Sequence, residues 1–176
     1  MSDQDRDARY ASHIPVLEAW LAGAACQVVE FGCGRFSTPE LAKHATRLQC
    51  WEKSPQWLAE ISALVPSAEI RLVEQPLSVF LSAFEPAIEK ATAVFVDGAP
   101  ASWRVEAMRA AARRKAWLVI AHDWGDFRTY GYDQLRGQLP GYAKAVYKCE
   151  LTGVKTAVFR RGPTIEKRPA RNHRCT

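Results

Sequence analysis

Three short stretches of this chain carry residue types that can do chemistry. Glu30-Phe31-Gly32-Cys33-Gly34 closes an apolar run with an acid and a glycine turn, and Glu52 stands at the end of the next apolar run. Glycines let the backbone turn tightly, so that a ligand can lie against main-chain amides at a helix start. An acid about 20 residues further on can hold the two hydroxyls of a ribose. Later in the chain, Val94-Phe95-Val96 ends in Asp97-Gly98-Ala99-Pro100, and Val119-Ile120-Ala121 ends in His122-Asp123-Trp124. An apolar run that stops abruptly at a carboxylate or imidazole places that group at the mouth of a sheet rather than in its core. There Asp97, His122 or Asp123 can take a proton as a general base, and His122 suits the task because its ordinary pKa of about 6.5 lies close to neutrality. Asp97 and Asp123 can alternatively hold a divalent cation such as Mg2+ that lowers the pKa of a bound hydroxyl. In the structural alternative, Asp97 caps the following helix and His122-Asp123 fixes a loop.

These groups need elements to position them. The predicted strands are Gln27 to Phe31, Arg47 to Trp51, Glu69 to Val73, Ala91 to Val96 and Trp117 to Ala121, with helical segments between them, which makes a β-α repeat and a parallel sheet. Ser12 to Ala22 reads as a helix before the first strand, and Leu77 to Phe84 and Val105 to Arg114 as helices later on. Thr38-Pro39-Glu40 starts a helix directly after the glycine turn, with Ser37 and Glu40 at the spacing of a capping box. Ser54-Pro55 repeats the start signal, and Trp57, Leu58, Ile61 and Leu64 form a stripe that puts Trp57 in the core. After a brief helix around Tyr132 to Gln138, Ala143 to Leu151 and Val154 to Arg160 are strand-like and joined so closely through Thr152-Gly153 that they must be antiparallel.

Five β-α units closed by a terminal hairpin, with Glu30-Phe31-Gly32-Cys33-Gly34 and a second acid at Glu52, resemble the class I methyltransferases that depend on S-adenosylmethionine. The resemblance covers about Gln27 to Arg160. It implies an α/β fold with a Rossmann-like, seven-stranded sheet, mostly parallel, with helices on both faces. It also implies S-adenosyl-L-methionine as cofactor. Gly32 and Gly34 would lie beside its methionine part, and Glu30 would orient the loop or the amine. Glu52 would hold the ribose, Lys53 and Gln75 would flank adenine, and Asp97 would stand near the donor methyl. Val73-Glu74-Gln75-Pro76 departs from the short acidic motif usual in the family after its third strand. The segments from Asp97 to Arg104 and from His122 to Trp124 resemble those members that methylate hydroxyl oxygens. Trp103 and Trp124 would then offer an apolar platform to the acceptor or else cover the core, and Arg104 would pair with an acidic group on it.

At 176 residues the chain fits one domain: an N-terminal helical segment to residue 26, the cofactor-binding unit over 27–161, and a basic tail over 162–176. Cys26, Cys33, Cys50, Cys149 and Cys175 lack metal-ligand spacing and read as core or free thiols. The absence of a long apolar stretch or signal peptide points to a soluble, cytoplasmic protein without a membrane partner. The net charge of +5 is uneven, with Arg160, Arg161, Lys167, Arg168, Arg171 and Arg174 crowding the end of the chain, which keeps a nucleic-acid methyltransferase open as an alternative to a small-molecule or carbohydrate acceptor. Neither N-P-P-Y nor D-P-P-Y, which grip a planar base, follows the fourth strand. A scaffold that keeps the fold without turnover is a further alternative, and a homodimer would complete an otherwise small pocket.

Overall fold

The computed structural model of the protein describes residues 3–24, 26–135 and 139–165. Each predicted apolar run forms a strand: β1 (Cys26–Phe31), β2 (Ala45–Glu52), β3 (Glu69–Leu72), β4 (Ala93–Val96), β5 (Leu118–Ala121), β6 (Tyr142–Lys148) and β7 (Lys155–Arg161). They make one seven-stranded sheet in the order β3-β2-β1-β4-β5-β7-β6. The first five strands pair in parallel, whereas β7 runs antiparallel between β5 and β6. Strand order reverses between β1 and β4, and the crevice outside the carboxyl ends of such neighbours is where open sheets bind ligands.

Two apolar layers clamp the sheet, because successive side chains on a strand point to opposite faces. Val29 and Phe31 of β1 with Val94 and Val96 of β4 pack against α5 (Leu77–Ile88) and α6 (Arg104–Arg113). Val28, Phe95, Ile120 and Val158 pack on the other face against α2 (Ile14–Leu21), α3 (Ser37–His44) and α4 (Pro55–Leu64). The strands β4 and β5 are buried along their whole length, as expected for central strands covered on both sides.

Helix ends differ from the sequence reading in instructive ways. Helix α5 continues through Pro86 to Ile88 instead of stopping at Phe84, because Ile88 is fully buried and holds the last turn against the sheet. The capping box at Ser37 and Glu40 does not form: Ser37 is already helical, and Glu40 turns to Lys43 and His44 at 2.6 and 2.9 Å. The cap at Ser54 does form, its hydroxyl accepting the amide of Trp57 at 3.2 Å. Helix α1 (Asp3–Tyr10) falls in the expected N-terminal helical segment ahead of the helix read from Ser12, whereas the short helix α7 (Phe127–Tyr130) has no counterpart in the sequence reading. Cys26, Cys33 and Cys50 are buried free thiols. Cys175 and the tail from residue 166 lie outside the described residues, as do residues 136–138 at the end of the brief helix, which forms over Tyr132–Leu135. Among the described residues no helix is long and apolar enough to cross a membrane.

Candidate active site

The glycine turn leaves β1 and presses on the loop after β4. Gly32 has φ +94°, and a Cβ there would lie 2.3 Å from the Cα of Gly98. Gly98 in turn lies against the Phe31 ring, 2.7 Å from where its own Cβ would stand. Backbone therefore meets backbone at the switch point, with no side chain between. The far end of the turn is held from three sides. The Glu52 carboxylate accepts the Cys33 amide at 3.2 Å and the Ser54 amide at 2.8 Å. The Trp57 indole donates to the Cys33 carbonyl at 2.6 Å, and the Gly34 amide donates to the Thr38 hydroxyl at 3.0 Å. Trp57 is thus half-buried, packed at the edge of the core and over the turn with Arg35 stacked at 5.2 Å, because its N–H finds its partner at the rim. Each oxygen of Glu52 keeps a lone pair for a further donor.

Glu30 shares the β1 face that looks toward α3, and is fully buried. It accepts the Thr38 hydroxyl at 2.8 Å and the Cys50 thiol at 3.2 Å, so it braces the turn from below. Burial outweighs these hydrogen bonds and pushes its carboxyl up to about 7. Because the folded value lies above the ordinary 4.5, its contribution to stability is full below pH 4.5 and is lost as pH rises through about 7. Glu30→Gln is therefore expected to flatten the fall in stability between those pH values, with the variant gaining on the parent at pH 8 in urea unfolding. Parallel curves for the two proteins would show that Glu30 is already ionised in the fold.

Asp97, His122, Asp123 and Arg104 converge at the ends of β4 and β5. Asp97 faces the His122 Nδ1 through Oδ2 at 3.2 Å and Arg104 through Oδ1 at 2.8 Å. Asp123, in the left-handed conformation at φ 53°, lies 3.5 Å from the same guanidinium and 3.7 Å from the His122 Nδ1. Arg104 is only 7% exposed along its side chain. It also donates to the Gly98 and Asp97 carbonyls at 3.0 and 2.7 Å and lies 3.9 Å from the Tyr130 ring centre. Its guanidinium is thus shared with two carboxylates and two carbonyls inside the protein, while the side chain also lines the cavity at this corner. The same geometry removes Asp97 and Asp123 as a Mg2+ pair, since a guanidinium already occupies the space between the two carboxylates. Burial opposes ionisation of both partners, but the Asp97–His122 attraction wins: the carboxyl is held below its usual range and the imidazole above its own.

Residues that the sequence reading missed complete this corner. Ser12 bonds the Nε2 of His122 at 2.9 Å, and His13 packs edge-on against the same ring at 4.6 Å between centres. Arg9 and Tyr10 of α1 join Asp97, Arg104, His122, Asp123 and Tyr130 around a cavity of about 410 Å³. A histidine and a serine beside an apolar helix were the only local hint, and nothing in their spacing announces a partner 110 residues away. Of the predicted platform, Trp103 is half-buried and stacks on Phe80 at 5.4 Å. Trp124 is 2% exposed and packs on Tyr132 and Phe159, so it covers the core rather than the acceptor. Lys53 and Gln75 are exposed just beyond β2 and β3.

The chain matches no protein-family model and no curated protein. Solved structures share its fold. An rRNA methylase from Streptococcus thermophilus superposes with a TM-score of 0.62 at 11% identity, covering 85% of this chain and 94% of its own. A Klebsiella pneumoniae protein assigned as an O-methyltransferase gives 0.66 at 14%, covering 93% and 91%. The N-methyltransferase NodS from Bradyrhizobium japonicum, in complex with S-adenosyl-L-homocysteine, gives 0.56 at 18%, covering 91% and 88%. The sheet order and terminal hairpin are those of the class I methyltransferase fold.

Proposed function

We propose that this chain, folded as class I methyltransferases are, transfers the methyl group of S-adenosylmethionine to a hydroxyl oxygen of a small molecule or carbohydrate. The observation that carries the reading is the Asp97–His122 pair, 3.2 Å apart in the wall of a 410 Å³ cavity, on a loop that packs against the glycine turn. A hydroxyl acceptor must lose a proton during transfer, and a carboxylate–imidazole pair at the cavity wall supplies a place for it. Cavities of a few hundred Å³ suit a small acceptor.

The residues around the turn fit the cofactor. Gly32 and Gly98 let the β1 turn and the β4 loop meet backbone to backbone, and Glu52 keeps lone pairs for ribose hydroxyls at the end of β2. When bound, S-adenosylmethionine brings an already activated methyl, so the protein's work is alignment and proton management. Arg104 holds the Asp97 loop in place through the Asp97 and Gly98 carbonyls. Ser12 holds the far nitrogen of His122, which turns Nδ1 toward Asp97.

Binding is tested by thermal unfolding with S-adenosylmethionine or S-adenosylhomocysteine. Ligand at 100 times its Kd is expected to add about 2.7 kcal/mol of stability. Gly34→Asp should remove the shift. A Cβ at Gly34 would stand 2.7 Å from the buried Ser37 hydroxyl, so the fold of the variant, which places a carboxylate in the turn, is checked by circular dichroism. No shift of the parent protein at millimolar ligand would refute the cofactor. A shift without release of S-adenosylhomocysteine across a panel of hydroxyl acceptors would favour a binding protein instead.

A further inference from the structure

Behind the cavity, His13 presents an unexplained cost. It is 2% exposed, and among the described residues neither ring nitrogen has a hydrogen-bond partner. A buried polar group without a partner is destabilising by about 1–3 kcal/mol, and a phenyl ring would pack against Phe95 and His122 equally well without that cost. The groups nearest to it are His122 and Asp97, and ligand atoms of all three residues lie within 4.8 Å of one another.

We propose that His13, His122 and Asp97 form a site for a divalent transition ion of the imidazole-preferring kind, such as Zn2+ or Co2+, and that the ion competes with proton transfer at the Asp97–His122 pair. The donor set decides the ion class. Two imidazoles and one carboxylate oxygen suit Zn2+, Co2+ or Ni2+, whereas Mg2+ prefers oxygen ligands and keeps its waters. Arg104 takes Asp97 Oδ1, which leaves Oδ2 turned to the imidazole. The site differs from the excluded Asp97–Asp123 pair in its ligands and in its position behind the cavity wall. The inhibitory consequence rests on the methyl-transfer reading, but binding does not.

Titration of the full chain with Co2+ tests it. The expected result is visible ligand-field absorption saturating at one ion per chain, with a rise in Tm on adding Zn2+ and none with Mg2+ at the same concentration. His13→Phe keeps a ring against Phe95 and removes both nitrogens, and Asp97→Asn removes the anionic ligand. Each variant is checked for its fold by circular dichroism, and either should abolish the Co2+ band. Absence of any band or Tm shift in the parent protein at millimolar metal overturns the site, and so does a stoichiometric band that persists in a folded variant. If the band forms but Zn2+ leaves methyl transfer unchanged, competition with the proton is wrong. If no acceptor is ever methylated while the band still depends on His13, the transfer reading fails and the metal site stands.

Discussion

Replacing Gly32 by alanine is expected to cost about 3 kcal/mol of folding stability and to abolish the thermal shift with S-adenosylhomocysteine. Two effects add. The position requires φ +94°, which an L side chain rarely adopts, and the new Cβ would stand 2.3 Å from the Gly98 Cα, far inside the 3.5–4.0 Å at which carbons normally meet. Neither obstacle is the end of a flexible side chain, so relief demands that the β1 turn and the β4 loop move apart. That movement carries Asp97 away from His122, which makes the substitution damaging to cofactor and base together. Urea unfolding measures the first effect and calorimetric titration the second. A loss of less than about 1 kcal/mol would mean that the two loops do not press on each other in solution.

His122→Gln is expected to lower methyl transfer by about 10²–10⁴-fold, the usual contribution of a general base. Glutamine keeps a polar side chain within reach of Ser12 but cannot take up a proton. The fall should appear in kcat, measured in chelator, while affinity for S-adenosylhomocysteine stays within a few-fold, since His122 touches neither the glycine turn nor Glu52. Loss of cofactor affinity equal to the loss of rate would make His122 a structural residue. A rate within a few-fold of the parent would leave Asp123 or water to take the proton.

Arg104 shows where local reading meets its limit. Its place directly after Trp103, near Asp97 in sequence, suggested a side chain free to meet an acidic acceptor. The fold instead turns α6 so that the guanidinium points back under the β4 loop, between two carboxylates that it and His122 both bridge. Trp124 fails in the same way: a tryptophan after a strand end can face ligand or core, and the covering β7 strand with Phe159 decides for the core. The place of Glu52 at the end of β2 was legible from the strand pattern, while its bonds to the Cys33 and Ser54 amides depend on how the turn folds back.

By itself the sequence determined the alternation of strands and helices, the glycine turn after β1, the acids at Glu30, Glu52 and Asp97, and the antiparallel close of the sheet. Each of these is written in period, in glycine position or in a short connection, all of which act over a few neighbouring residues. Only the tertiary structure decided that Ser12 and His13 of the N-terminal segment stand on His122, that Arg104 is spent on Asp97 and Asp123, and that Trp57 guards the turn. These are contacts between residues far apart in the chain. Their physical origin is the burial of α2 and α3 on one face of the sheet and α5 and α6 on the other, which no local pattern records.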